Sequence, residues 1–172
     1  ILTDKEEIGS EGNTGLNSNY VGDYITYLAE LEGVNPKEVF RNTICLSSDV
    51  NAAYDPTFAS VYDPLNSSYV NKGCVLTKYT GARGKSGSND ANAEYLGILR
   101  KAFDDAKVEY QTAELGRIDA GGGGTIAYIP AAYGMDVIDI GVPILNMHAP
   151  YEVSSKADVY ETTKCYKAFY EM

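Results

Sequence analysis

Apolar residues recur at helical intervals in several windows of the chain. Over residues 18–31, Tyr20, Tyr24, Ile25, Tyr27, Leu28 and Leu31 predict a helix that Gly33 stops. Residues 36–40 read as a further helical turn. A longer amphipathic helix opens at Asp90 and carries Ala93, Leu96, Leu99, Phe103 and Ala106 on one face. A helix-like run over 126–133 is closed by Gly134. The last helix is capped at Ser154 or Ser155, with Asp158 completing a box of the S-x-x-D type, and runs to about Glu171.

Between these helices lie short runs with strand character. Residues 42–49 are apolar, then small, and end in Asp49. Residues 73–80 carry Val75, Leu76 and Tyr79, residues 108–113 read as another strand, and Val137 to Ile140 is β-branched before Gly141-Val142-Pro143 breaks it. The stretch 50–72 reads as irregular and 81–89 as a glycine-rich loop. Strand and helix alternate throughout, which predicts a layered α/β domain with a mixed, partly parallel sheet. No internal repeat, linker or low-complexity tract divides the 172 residues.

Composition narrows the classes. A hydrophobic share of 44% supports one domain with a sizeable core. The formal net charge of −10 argues against a nucleic-acid partner, since phosphate binding wants a basic face. No apolar run reaches the length of a membrane span. Cys45, Cys74 and Cys165 are widely spaced and form no CxxC pair, which predicts reduced thiols in a cytoplasmic protein. The chain begins at Ile1 without a methionine, and is read as a fragment or a processed product.

Candidate chemistry collects at predicted strand ends, where α/β sheets build their sites. Glu6 and Glu7 sit between an apolar start and a small-residue turn. Neighbouring side chains there point different ways, so one carboxylate can hold a metal while the other faces a water. Asp49 ends one strand, and His148, the single histidine, follows another. Carboxylates plus imidazole make an oxygen/nitrogen set suited to zinc, cobalt or manganese. The glycine run 121–124 before Thr125 lacks the Gly-Lys-Ser/Thr ending of a phosphate loop and the spacing of a dinucleotide fingerprint. It is read as an anion-binding turn or as a site of tight packing. The basic stretch 78–85 is read as an exposed loop balancing charge, or as placing Lys78 near a cleft where it could pair with a carboxylate.

Four motifs occur in a telling order. They are Asp4-x-Glu6-Glu7-Ile8-Gly9-Ser10, Ser47-x-Asp49, Gly122-Gly123-Gly124-Thr125-Ile126, and Asp139-x-Gly141-x-Pro143-x-Leu145-x-Met147-His148. With these, the chain resembles the aspartyl aminopeptidase and vacuolar aminopeptidase family of two-metal exopeptidases, from Asp4 through Glu152. The resemblance implies a three-layer α/β/α zinc-exopeptidase-like fold, of which residues 1–172 form the C-terminal part of the catalytic domain. It also implies two divalent metals, most often zinc, a peptide substrate releasing its N-terminal residue, and a large tetrahedral homo-oligomer. Carried over, Glu6 is the general base toward the water, Glu7 and His148 ligate one metal, and Asp49 ligates the other. Gly122, Gly123, Gly124 and Thr125 line the substrate cleft.

The chain also departs from that pattern. A histidine, a metal-bridging aspartate and a lid and dimerisation domain, all upstream in the family, have no counterpart here. Ala52 stands where many members have a histidine, and Ala149-Pro150-Tyr151 replaces the more usual Ser-x-Arg before Glu152. A metal-free structural or binding subunit of the same fold is the competing expectation for this chain.

Overall fold

The computed structural model describes residues 1–3, 10–83, 86–117 and 119–172. In chain order the elements are α1 (Tyr20–Leu31), α2 (Pro36–Arg41), β1 (Ile44–Ser48), β2 (Asn51–Ala52), a 3₁₀ helix (Pro56–Val61), β3 (Cys74–Ala82) and β4 (Ser86–Asp90). There follow α3 (Ala93–Asp105), β5 (Tyr110–Glu114), α4 (Tyr128–Ala132), β6 (Asp136–Gly141), β7 (Pro143–Leu145), β8 (Val153–Ser154) and α5 (Lys156–Tyr170).

β3 is the axis of a five-stranded sheet. On one flank it pairs in parallel with β5. On the other it pairs antiparallel with β6 over Val75–Thr77 and then with β4 over Tyr79–Ala82. β1 extends the sheet by pairing in parallel with β6. A second sheet, β2-β7-β8, grows from the ends of the first, because β2 follows β1 and β7 follows β6 with their parallel pairing kept. Backbone bonds carry the alignment across the join, from Asp49 N to Ile140 O and from Asn51 N to Val142 O, each 3.0 Å.

Central-strand residues are buried on both faces, so the strands read as nearly unbroken apolar runs. On one face Cys74, Leu76, Ile138 and Ile140 pack against Tyr95, Leu99 and Phe103 of α3 and Cys165 and Ala168 of α5. Tyr95, Leu99 and Phe103 recur every fourth residue and are fully buried, each adding about 1.5–3 kcal/mol by burial. The opposite face carries Val137 and Asp139, and there α4 lies against β4 and β6. Phe40 of α2 stacks on Tyr133 at 4.9 Å, and the Tyr133 ring covers Gly22 of α1. Helices therefore cover both faces, as the three-layer reading expects. Cys45, Cys74 and Cys165 are free thiols, and burial pushes the Cys45 thiol up.

Several elements depart from the sequence reading. The expected loop 81–89 is mostly a hairpin: β3 continues through Ala82 and β4 pairs back onto it. The basic stretch thus begins as strand, and Lys78 lies within β3; Gly84 and Lys85 fall outside the described residues. Asp90 is the last residue of β4, opposite Tyr79, and Asn92 caps α3 by accepting from Tyr95 N at 2.7 Å. Pro143 begins β7 where a break was expected, and α4 is shorter than residues 126–133. In α1 the periodicity is right, yet Tyr20, Tyr24, Tyr27, Leu28 and Leu31 are exposed and Ile25 is half-buried; the helix buries Gly22 and Ala29. Ser155 caps α5 as expected, but Asp158 does not reach back to it. Fully buried, Asp158 accepts from Asn71 N at 2.7 Å and Gly73 N at 2.8 Å, tying the start of α5 to the start of β3.

Candidate functional site

A cleft of about 730 Å³ opens where the two sheets join. Its floor is Asp49, Val50 and Ala52, the segment between β1 and β2. One wall is Val61 and Tyr62, another is the strap Gly121–Thr125 with Leu115 and Gly116, and the third is Met147, His148 and Glu152 from the β7–β8 loop. The described lining contains Asp49 and Glu152 and no lysine or arginine, so its potential favours cations.

Each chemical group has a local reason for its place. Asp49 Oδ1 accepts from Val50 N at 2.7 Å, which fixes the carboxylate just past the end of β1. His148 has φ +66 in a tight turn closed by Ala149 N to Asn146 O, and Glu152 Oε1 accepts from His148 N at 2.6 Å. The strap is glycine because backbone packs on backbone. Gly81 N donates to Gly123 O at 2.8 Å and Arg83 N to Gly121 O at 3.0 Å. Gly122 has φ +80, and a Cβ there would lie 2.6 Å from Gly81 O. The tight-packing reading of the run is the one this geometry matches, with strand β3 rather than a helix as the partner.

Beneath the strap sits Asp139, the opening residue of the fourth motif, to which the sequence reading gave no role of its own. Asp139 of β6 is 2% exposed, and its Oδ2 accepts from Thr125 Oγ1 at 2.9 Å. Oδ1 has no well-formed partner, and neither does the hydroxyl of Ser47, which faces Asp139 across the β1–β6 ladder. Burial pushes the Asp139 carboxyl up to about 6, and the Asp49 charge adds to this. The nearby Ser47, Thr125 and Thr80 hydroxyls pull the other way. A carboxyl raised in the folded state stabilises the fold while protonated and loses that contribution as pH rises from its unfolded value near 4 to about 6. The stability difference between wild type and Asp139→Asn should therefore shift by about 2 kcal/mol in the variant's favour between pH 4 and 7. Urea unfolding of both proteins across that range checks it; a constant difference would contradict it.

Of the sequence candidates, Asp49, His148, Gly122, Gly123, Gly124 and Thr125 all line this cleft. Lys78 is not among the described lining residues; its ammonium is paired with Asp90. Glu6 and Glu7 lie outside the described residues. Among the described residues no three His, Cys, Asp or Glu side chains converge into a metal cluster. No helix among them is long and apolar enough to cross a membrane.

Residues 1–170 match the family of aminopeptidase I zinc metalloproteases (M18). The chain belongs to this family. A Clostridium acetobutylicum protein described as a probable M18 family aminopeptidase 1 is 54% identical over 173 residues, covering 98% of this chain and 37% of its own length. The chain thus spans less than two fifths of that M18 relative. The crystal structure of aminopeptidase I from the same organism superposes with a TM-score of 0.88 at 53% identity, over 98% of this chain and 37% of that one. The M18 aminopeptidase of Thermotoga maritima gives 0.88 at 44%, over 96% and 38%. The S. cerevisiae mApe1 dodecamer shares the fold, with a TM-score of 0.78 at 23% identity over 96% of this chain and 36% of that one. In M18 terms, the expected mixed α/β fold and family are those found.

Proposed function

We propose that the chain is the C-terminal catalytic portion of a metal-dependent aminopeptidase that releases N-terminal residues from peptides. The observation that carries this reading is the convergence of Asp49 and His148, far apart in sequence, on one acidic cleft beside a glycine strap. The donor set suits zinc, with cobalt or manganese as alternatives. Glu7 and His148 would hold one ion and Asp49 the other. A pair of such ions, when bound, polarises the scissile carbonyl and lowers the pKa of water. Glu6 would take the proton from the attacking water and pass it to the leaving amine. Glu152 holds the backbone of His148, and so would orient the imidazole toward the cleft. Gly122, Gly123, Gly124 and Thr125 would flank the substrate backbone, and the acidic lining would draw in its N-terminal ammonium. A homo-oligomeric parent protein is part of the same reading, supported by the dodecamer known for a protein of this fold.

The test uses the full-length parent. Glu6→Gln preserves volume but cannot accept a proton, so turnover should fall by about 100-fold or more while metal is retained. Glu7→Gln trades a charged oxygen for a neutral amide and should lose or weaken one ion. Metal content measured beside kcat reads both. Loss of metal only in Glu6→Gln would swap the two roles, and no effect of either would reject the reading.

A second reading is a metal-free structural or binding subunit. The single histidine of this chain, where the resemblance calls for two, favours it for this chain in isolation. Wild-type parent free of metal and of turnover would establish it.

A further inference from the structure

Four consecutive glycines give the strap no side chains with which to lock its conformation, and glycine carries the largest backbone entropy to lose. Backbone bonds from Gly81 and Arg83 hold Gly123 and Gly121 against β3, and Thr125 is the first residue of that segment able to pin it through a side chain. Its hydroxyl donates to Asp139 Oδ2 at 2.9 Å and accepts from Ala127 N at 3.3 Å. The socket is costly. Asp139 is buried in the central strand between Ile138 and Ile140, where an apolar side chain would serve the fold better. The same row anchors the floor of the cleft. Thr77, opposite Asp139 across the β3–β6 ladder, accepts from Asn51 Nδ2 at 2.9 Å, and Asn51 Oδ1 accepts from Ser68 Oγ at 2.6 Å.

We infer that Asp139 is a positioning residue of the substrate cleft: through Thr125 it fixes the Gly121–Thr125 strap at the spacing an incoming peptide backbone requires. This rests on reading the cleft as a peptide site. Asp139 touches no substrate, so it acts only while Thr125 can bond to it. Asp139→Leu and Thr125→Val each break that link, and the double variant should be no worse than either alone. The conservative variants Asp139→Asn and Thr125→Ser keep an acceptor and a donor, and should restore the link.

The experiment compares these variants in the full-length parent by steady-state kinetics on a dipeptide, metal content and amide hydrogen exchange. Asp139→Leu and Thr125→Val should each raise KM about tenfold with kcat within about threefold, since misplacing a binding wall weakens binding before it alters chemistry. Metal content should not change. Amides of residues 121–127 should exchange about tenfold faster, while those of β3 and β6 stay as they were. Additive losses in the double variant, failure of the conservative pair to recover KM, metal loss in Asp139→Leu, or unchanged exchange in the strap would each overturn the inference. If the wild-type parent cleaves no peptide, the aminopeptidase reading fails, and the exchange measurement alone decides whether Asp139 holds the strap.

Discussion

Gly141→Ala should destabilise the fold by about 4 kcal/mol or more, at the top of the range for point substitutions. A Cβ on Gly141 would lie 1.4 Å from the carbonyl oxygen of Asp49, a distance at which two atoms cannot coexist. Neither side can yield cheaply. Gly141 is opposite Val75 of β3, while the backbone of residues 49–51 is bonded on both sides of the contact, to Ile140 and Val142. Room for the methyl would have to come from prising β1 and β2 away from β6 and β7. The same movement would carry Asp49 off the floor of the cleft. Denaturant unfolding should show the loss, and a well-folded variant within 1 kcal/mol of wild type would contradict the geometry.

Asp158→Ala should cost about 3–4 kcal/mol. The carboxylate satisfies two backbone N–H groups, of Asn71 and Gly73, in a fully buried turn, and each donor left orphaned costs about 1–3 kcal/mol. Asp158→Asn should recover only part of this. One amide oxygen can accept from one of the donors, but the NH₂ group would face the other. Thermal unfolding of the three proteins should rank wild type above Asn above Ala. Equal midpoints for Asn and wild type would mean that a single hydrogen bond suffices.

How far the sequence reveals the molecule depends on which force settles each element. α3, α5, β3 and β6 are legible because burial drives them and burial leaves a periodic apolar trace. β4 leaves none. Ser86–Asp90 is small and polar, and it becomes a strand by pairing with the end of β3. α1 shows the limit of periodicity itself: the spacing of Tyr20, Tyr24, Tyr27 and Leu31 announces a helix, but not which face packs. Asp158 has capping-box spacing, yet a tertiary partner outcompetes the local one. In the site, Asp49 and His148 are legible as polar residues at strand ends. Asp139 is hidden, because one carboxylate inside a β-branched run looks like ordinary strand alternation; its burial beneath the strap becomes apparent only once β1 and β3 flank it. The paired glutamates, on which the catalytic assignment rests, lie outside the described residues.

The position of β1 also sets the order in which the molecule can be built. β3, β4 and β5 lie close together along the chain, separated only by α3, and both β4 and β5 pair with β3. Docking β1 on β6 joins Cys45 to Val137, a loop of roughly ninety residues whose closure entropy must be met before its contacts form. Asp49 lies just past β1, and His148 follows the strand that succeeds β6. The cleft therefore depends on this long-range pairing: its floor and its histidine wall meet only once β1 has docked on β6.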